Sequence, residues 1–424
     1  MAGMHIETMC IQEGYRPKNG EPRVLPIYQS TTYKYDNAAE VGKLFDLEED
    51  GFFYTRLANP TADAVEKKIA ALEGGSGALL TSAGQAASFL AIFNIAGAGD
   101  HVVSNAGIYG GTTNLFAVTM KRMGIDVTFV SPDVTEEELD AAIKENTKCV
   151  FGETLSNPAL TVLDIEMFAN VAHKHGIPLI VDNTFATPFL CRPFEYGADI
   201  VTHSTSKYLD GHACALGGVI VDGGRFDWEN GKFPGLSTPD ESYHGVVYTK
   251  QFGNAAYITK ARVQLQRDLG TTPAPQNAFL LNLGIETLPL RMERHCENAQ
   301  KTAEYLEKHE KISWVNYPGL PGSHFYEKAK KYLPKGTSGV ISFGVKGGRE
   351  NAMKFMDSLK LANIVVHVAD ARTGVLHPAS TTHRQLTDEQ LKECGVGADL
   401  IRMSIGLEHI DDILADIEQA LASL

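Results

Sequence analysis

Between residues 78 and 221, short apolar runs alternate with longer amphipathic segments, and this alternation limits the possible folds more than any other feature. Runs this short, bounded by turn residues, are typical of buried strands. Strands separated by helices predict βα units and a mostly parallel sheet that helices cover on both faces. The predicted strands are Ala78–Leu80, His101–Ser104, Val127–Val130, Lys148–Phe151, Ile177–Val181, Ile200–Thr202 and Gly217–Val221.

The remaining sequence predicts an arm and a second, smaller domain. Residues 15–60 show little periodicity, and a helix follows that Asn59 can cap and Gly74 can end. A polar and aromatic insertion occupies residues 222–257. Later strands and a C-terminal amphipathic helix indicate a smaller α+β domain. We therefore expect an arm at 1–60, a large domain at 61–265 and a small domain at 266–424.

Composition excludes several classes of function. The 38 Lys and Arg are outnumbered by 52 Asp and Glu, a net charge of −14 that disfavours nucleic-acid and anionic-membrane partners. The longest apolar run, Phe89–Ala98, is broken by Asn94 and is too short to cross a bilayer. Met1–Gly14 lacks the apolar core of a signal peptide, and no Cys-x-x-Cys pair suggests a zinc site. We expect a reduced, cytoplasmic protein without a metal.

Two candidate site residues lie just after predicted strands, where open α/β sheets bind their ligands. Asp182 follows Ile177–Val181, and a buried carboxylate there needs a partner such as a protonated ring nitrogen. It could equally cap a loop. Lys207 follows Ile200–Thr202 and is either an imine-forming amine or a solvated surface charge.

Further motifs indicate a phosphate and a planar ring. The small residues of Ser82–Gln85 precede a helix whose amides can bind phosphate, although many such turns bind nothing. The hydroxyls of Ser204 and Ser206 are suitable phosphate donors, and Tyr109 can stack on a ring or merely pack on a loop. A phosphate, an aromatic cation and an aldehyde that condenses with lysine together describe pyridoxal 5′-phosphate (PLP).

With these motifs the chain resembles the Cys/Met-metabolism family of PLP enzymes, which have the aspartate-aminotransferase-like architecture, PLP fold type I. The resemblance implies an α/β fold with a mostly parallel central sheet, helices on both faces and a smaller C-terminal α+β domain. It extends over nearly the whole chain. The matching stretches are Tyr54–Thr61, Ser82–Gln85, Tyr109–Thr112, Glu153–Pro158, Asp182–Thr184, Ser204–Lys207 and Arg402–Glu408.

The resemblance also implies roles for individual residues. Lys207 binds the cofactor as an imine and then moves protons, Asp182 pairs with the pyridine nitrogen, and Tyr109 stacks on the ring. Tyr54 and Arg56 reach the phosphate of a neighbouring subunit's cofactor, which implies a homotetramer built as a dimer of active dimers. Tyr54 and Tyr109 are candidates for acid–base steps. The other implied cofactor-binding residues are Gly84, Gln85, Asn157, Thr184, Ser204 and Ser206.

On the substrate side, Arg402 matches the arginine that binds the substrate α-carboxylate, a role suited to its bidentate fork. From the residues alone, Arg402 could equally form a structural ion pair. Asn157 is implied to contact the cofactor oxygen or the same carboxylate. Thr373 is also assigned to the substrate, although Arg372–Gly374 departs from the common family pattern.

Two segments resemble the O-acetylhomoserine sulfhydrylase branch: the insertion that contains Trp228, and residues 377–383. Gly111 stands where methionine γ-lyases tend to carry a cysteine. The branch implies γ-replacement in methionine biosynthesis, in which O-acetyl-L-homoserine and sulfide, or methanethiol, give L-homocysteine, or methionine, and acetate. The alternatives are a methionine γ-lyase, a cystathionine γ-synthase or lyase, and a non-catalytic α/β small-molecule-binding protein. Acyl preference, thiol preference and regulation are not encoded in any motif.

Overall fold

The larger sheet contains the strands that the alternation predicts. The computed structural model describes residues 3–381, 384 and 397–424. Along the sheet the order is β1-β7-β6-β5-β4-β2-β3, and β7 is antiparallel to both neighbours while the other pairs are parallel. The strands are β1 (Gly77–Thr81), β2 (His101–Asn105), β3 (Asp126–Val130), β4 (Thr147–Glu153), β5 (Leu179–Asp182), β6 (Ile200–His203) and β7 (Gly218–Asp222). The expected mostly parallel α/β sheet is confirmed.

The helices connect and cover these strands. They are α1 (Ile6–Gln12), α2 (Ala38–Phe45), α3 (Pro60–Glu73), α4 (Gly84–Phe93), α5 (Gly110–Asn114), α6 (Glu136–Ala142), α7 (Ile165–Lys174), α8 (Thr187–Leu190), α9 (Pro234–Ser237), α10 (Tyr248–Phe252), α11 (Ala256–Lys260), α12 (Arg267–Leu269), α13 (Pro275–Glu286), α14 (Leu288–Lys308), α15 (Tyr326–Tyr332), α16 (Gly348–Ser358) and α17 (Ile410–Ala422). Two π-helical turns, Leu115–Met120 and Ala261–Gln266, extend α5 and α11.

Local signals set the ends of α3 as predicted. The Asn59 side chain accepts from the amide of Thr61 at 2.9 Å, Pro60 occupies the first turn, and Gly74 ends the helix at φ +79°. Val65 and Ile69 are fully buried beneath β1 and β7. The helix therefore fixes the start of the large sheet.

A second sheet forms the smaller layer, in the order β10-β11-β12-β9-β8. Its strands are β8 (Ile312–Asn316), β9 (Val340–Val345), β10 (Asn363–Ile364), β11 (Gly374–Leu376) and β12 (Leu400–Ser404). Helices α14, α16 and α17 bury a separate apolar cluster against it. This confirms a smaller C-terminal α+β layer, although β8 lies in a region that was predicted to be helical.

The arm and the insertion hold more structure than their irregular sequences predict. Cys10 of α1 is fully buried and α1 packs on α3, α13 and α14. In the insertion, the Trp228 ring stacks on Tyr257 with centroids 5.1 Å apart, and Trp228 is buried. The boundaries at 60 and 265 stay predictions. Of the sulfhydrylase-like segment 377–383, residues 382 and 383 lie outside the described residues, as does Cys394.

The described residues lack two features, a helix that could span a membrane and a cluster that could bind a metal ion. No helix in them is both long and apolar enough to cross a membrane. They also contain no cluster of three or more His, Cys, Asp or Glu side chains suited to a metal ion.

Candidate active site

The ends of three neighbouring strands bring the candidate residues together. Asp182 is the last residue of β5 and pairs in register with Glu153 of β4 and Thr202 of β6. Lys207 follows β6 in the adjoining turn. Because these strands are parallel, their carboxyl ends share one edge of the sheet, the edge where the sequence predicts a ligand.

The hydroxyl of Thr184 joins Asp182 to the turn that carries Lys207. It donates to Asp182 Oδ1 and accepts from the amide of Ser204 at 2.8 Å. The Thr184 amide donates to the same carboxylate oxygen at 2.9 Å. Burial raises the pKa of Asp182, and the hydrogen bonds from the hydroxyl and the amide of Thr184 oppose that shift. Thr184 thus orients the carboxylate by direct contact.

Lys207 has the properties of a reactive amine. Burial, assisted by the positive charge of Arg402, lowers the pKa of Lys207 to about 8. A substantial fraction of the amine is then neutral and nucleophilic near physiological pH. Its Nζ lies 3.2 Å from Nδ1 of His367.

The first turn of α4 forms a cradle for an anion. Gly84 begins the helix, and its cap residue Ala83 provides no side-chain hydrogen bond to the free amides. A Cβ atom at Gly84 would lie 2.6 Å from the Cβ of Ser204, so only glycine lets these backbones approach so closely. Oε1 of Gln85 is buried without a hydrogen-bond partner among the described residues. The free amides and the close approach at Gly84 suit a phosphate at a helix N-terminus, whereas Oε1 of Gln85 is itself an acceptor and needs a donor.

The hydroxyl of Ser206 is already hydrogen-bonded to Gly217, the residue before β7. Its hydroxyl donates to the carbonyl of Gly217 at 3.2 Å and accepts from the Gly217 amide at 3.0 Å. Ser206 is buried. Its predicted role as a phosphate donor therefore stays a prediction and requires the hydroxyl to turn.

Tyr109 precedes α5 and is half exposed, with 50% of its surface open. A Cβ atom at Gly111 would overlap the Tyr109 ring and the amide nitrogen of Gln85. The ring therefore lies over the first turn of α4, beside the anion cradle. An exposed aromatic face at this position can stack on a planar cofactor.

Arg402 on β12 is a buried cation that has no acidic partner in the part of the chain that the structure describes. Only 6% of it is exposed; Nη1 donates to Oδ1 of Asn157 at 3.2 Å, and Nη2 to the carbonyl of Val366 at 3.0 Å. Within the described ranges Arg402 forms no salt bridge, and its Nε has no acceptor. Burial lowers the pKa of Arg402 to about 10. This geometry favours an anionic ligand over the structural ion pair that the sequence left open.

The edge thus offers an amine, a carboxylate and an anion cradle in one place, as PLP requires. Residues 7–422 match the family model described as Cys/Met metabolism PLP-dependent enzyme. The chain belongs to this family. Its cofactor is pyridoxal 5′-phosphate, and the predicted PLP fold type I is confirmed.

Full-length relatives of this Cys/Met-metabolism enzyme are similar throughout. Homocysteine synthase of Schizosaccharomyces pombe is 49% identical, covering 98% of each chain. O-acetyl-L-homoserine sulfhydrylase of Leptospira meyeri is 46% identical over 99% of this chain and 97% of its own. A crystal structure of a putative O-acetylhomoserine (thiol)-lyase from Campylobacter jejuni, with N′-pyridoxyl-lysine-5′-monophosphate, has a TM-score of 0.95 at 39% identity, covering 99% of this chain and 100% of that one.

Tyr54 and Arg56 contact each other, and Arg56 contacts Arg267, in this family member's single chain. Tyr54 is 41% exposed, and the Arg56 guanidinium lies 5.2 Å from its ring centroid. Arg56 donates to the carbonyl of Arg267. Among the described residues, neither side chain has a hydrogen bond or ring contact with Lys207. Their predicted roles stay predictions.

Thr373 has protein partners for each of its polar groups. Its amide and hydroxyl donate to the Glu408 carboxylate at 2.7 and 2.9 Å, and its carbonyl accepts from the Asn363 amide. The hydroxyl also accepts from the Gly406 amide at 2.9 Å. These contacts indicate that Thr373 shapes the β11–β12 region, and its predicted substrate contact stays untested.

Sequence reasoning missed two residues at the site of this enzyme. Glu153 lies beside Asp182 and accepts from the amide of Tyr109 at 2.7 Å. His367 contacts Lys207 from a segment 160 residues away in sequence. Glu153 follows a predicted strand as Asp182 does, so its position was a usable signal. No local signal identifies His367.

Proposed function

We propose that this enzyme catalyses γ-replacement: O-acetyl-L-homoserine and sulfide give L-homocysteine and acetate. Methanethiol in place of sulfide gives methionine. The observation that carries the proposal is the near-complete coverage, at 46–49% identity, of relatives named homocysteine synthase and O-acetyl-L-homoserine sulfhydrylase. The buried guanidinium of Arg402 supports it, because this group has no acidic partner among the described residues and the substrate carries an α-carboxylate.

Residues of one chain would form most of the cofactor site. When bound, PLP supplies an electron-accepting ring that stabilises negative charge developing on substrate carbon. Asp182 would hold positive charge at the ring nitrogen, and Tyr109 would cover one ring face. The amides of Gly84 and Gln85, with the hydroxyl of Ser204, would hold the phosphate.

Arg402 would bind the substrate and Lys207 would transfer its protons. Arg402, with Asn157 beside it, holds the α-carboxylate and so fixes the direction of the Cα–H bond. The neutral amine of Lys207 takes the Cα proton at Nζ and then assists loss of a Cβ proton, and acetate leaves Cγ with its bonding electron pair. The sulfur nucleophile then forms the new bond at Cγ, and protons return to Cβ and Cα. Tyr54 and Tyr109 are the proposed auxiliary acid–base groups.

The deciding assay supplies O-acetyl-L-homoserine with saturating sulfide and measures homocysteine against 2-oxobutyrate and ammonia. We expect homocysteine to dominate, because Gly111 leaves no room for the cysteine that tends to accompany γ-lyase activity unless Tyr109 moves. Dominant 2-oxobutyrate would identify a lyase instead. O-succinylhomoserine and methanethiol, tested in parallel, establish acyl and thiol preference. Lys207→Ala serves as the inactive control.

We further propose a homotetramer made of two active dimers, with Tyr54 and Arg56 completing the partner's site. Support comes from exposed apolar side chains on the same arm, and among the described residues Tyr54 and Arg56 form no hydrogen bond or ring contact with Lys207. The exposed side chains are Val24, Ile27, Tyr28 and Phe45. Mixing Lys207→Ala with Arg56→Ala subunits should restore activity, because one site in each hybrid dimer is then intact. Absence of recovery despite hybrid formation would contradict a shared site.

The proposed location is the cytoplasm. Five described cysteines are free thiols: Cys10, Cys149, Cys191, Cys214 and Cys296. Free thiols agree with a reducing compartment. The proposed ligands are small molecules only, with neither nucleic acid nor membrane as partner, in agreement with the net charge of −14.

A further inference from the structure

His367 reaches the reactive amine from the smaller domain. It lies between β10 and β11, and its Nδ1 is 3.2 Å from Nζ of Lys207. Arg402 anchors the same segment by donating to the carbonyl of Val366. Lys207 therefore contacts a side chain to which no motif gave a role, on a segment that Arg402 anchors.

The ammonium form of Lys207 selects one tautomer of the imidazole. An ammonium can only donate, so with that form Nδ1 is the acceptor and the ring proton lies on Nε2. That Nε2 is buried without a partner among the described residues.

Four charged groups surround this imidazole. Burial and the positive charge of Lys207 lower the pKa of His367, Arg402 acts in the same direction, and Asp370 and Asp210 oppose it. The neutral imidazole is favoured near neutral pH, so His367 presents a neutral acceptor to the amine.

We infer that His367 is a positioning residue, whose Nδ1 holds the amine of Lys207 whenever that amine is not bonded to the cofactor. The inference rests on the proposed function because Lys207 is free only during turnover or before cofactor binding. A lysine side chain otherwise samples many rotamers. One fixed hydrogen bond keeps Nζ near Arg402, where the substrate's Cα proton must be removed.

The bond also has a measurable effect on ionisation. A neutral acceptor stabilises the ammonium form, so its removal should lower the pKa of Lys207 further. Competitive labelling of the full-length enzyme, freed of PLP, with acetic anhydride across about pH 6 to 10 measures this pKa by peptide mass spectrometry. In His367→Leu the midpoint should fall by about one pH unit. In His367→Asn, whose Oδ1 can replace Nδ1, it should stay near the wild-type value.

A matched control is His324→Leu, since the His324 side chain is 72% exposed and pairs with Asp133. It should label like the wild type. After PLP is restored, kcat of His367→Leu should fall about tenfold while KM for the amino acid stays unchanged, because Arg402 is intact. His367→Asn should recover most of the loss.

Two outcomes overturn the inference: a Leu variant that labels like the wild type, or Leu and Asn variants that shift equally. If circular dichroism shows that His367→Leu is misfolded, His367→Gln replaces it, because its amide lies nearer the position of Nε2 than that of Nδ1. The labelling needs no amino-acid substrate. It therefore tests His367 even if the proposed γ-replacement proves wrong.

Discussion

Glu153 and Asp182 end neighbouring parallel strands in register, so two carboxyl groups meet at the edge of the sheet that holds Lys207. Burial raises the pKa of both, and the charge of Asp182 raises that of Glu153 further. Two adjacent buried charges are unfavourable, so the pair favours a single negative charge. The two hydrogen bonds from Thr184 place that charge on Asp182, where a cationic ring nitrogen needs it.

This relationship predicts the behaviour of Glu153→Gln. The pKa of Glu153 is higher in the folded protein than in the unfolded protein. As pH rises, this carboxyl group therefore ionises first in the unfolded protein, and the wild-type protein loses stability. Glutamine cannot ionise, and its Oε1 can still accept from the Tyr109 amide. In the PLP-free enzyme, the stability of the variant relative to wild type should therefore be greater at pH 8 than at pH 5. Guanidinium unfolding at both pH values measures the difference.

The control for that prediction is Glu153→Ala, which also removes the acceptor for the Tyr109 amide. It should be destabilised at both pH values by about 1 to 3 kcal/mol relative to Glu153→Gln. A stability difference between Glu153→Gln and wild type that does not depend on pH would contradict the raised pKa.

Asp182→Asn tests the carboxylate itself. The amide keeps the shape of the side chain but cannot balance positive charge on the ring nitrogen, so kcat should fall about 10²- to 10³-fold. Steady-state homocysteine production measures the loss, and the visible band near ~420 nm should persist because Lys207 is intact. Asp133→Asn, at an exposed ion pair with His324, is the control. Full turnover by Asp182→Asn would remove Asp182 from the mechanism.

Much of the large domain is predictable because its strands are buried on both faces. Runs such as Ala78–Leu80 and Ile200–Thr202 contain little besides apolar residues, are buried, and each falls within an observed strand. The strand β8 was missed because Ile312–Asn316 is only partly buried at a sheet edge and directly follows a long helix. Tertiary pairing with β9 makes this segment a strand.

The site was predictable where function follows directly from a strand end. Asp182 and Lys207 could be selected by position because parallel strands deliver their carboxyl ends to one edge. The sequence could not decide whether Arg402 pairs with an acid, since that depends on which side chains surround it after folding. His367 could not be selected from the sequence for the same reason, because its partner Lys207 lies 160 residues away along the chain.

Arg402→Lys separates charge from geometry at the substrate site. Lysine keeps a cation but loses the fork that reaches Asn157 and Val366 at once. KM for O-acetyl-L-homoserine should rise about 10- to 100-fold, with the cofactor absorbance unchanged. Arg372→Lys is the comparison, because Arg372 is exposed and bonded to Asp370. An unchanged KM in Arg402→Lys would show that the α-carboxylate binds elsewhere.

Gly84→Ala tests the close approach that forms the phosphate cradle. The added Cβ would lie 2.6 Å from the Cβ and 2.8 Å from the Cα of Ser204, so the first turn of α4 or the Ser204 turn must move. Since the phosphate is bound by amides at that turn, we expect PLP affinity to fall at least about tenfold, or about 1.4 kcal/mol. Titration of the PLP-free enzyme, followed by visible absorbance, measures the affinity. Gly97→Ala is the matched control because its Cβ would have no heavy atom within 4 Å. Equal affinity in both variants would mean that the phosphate does not depend on this contact.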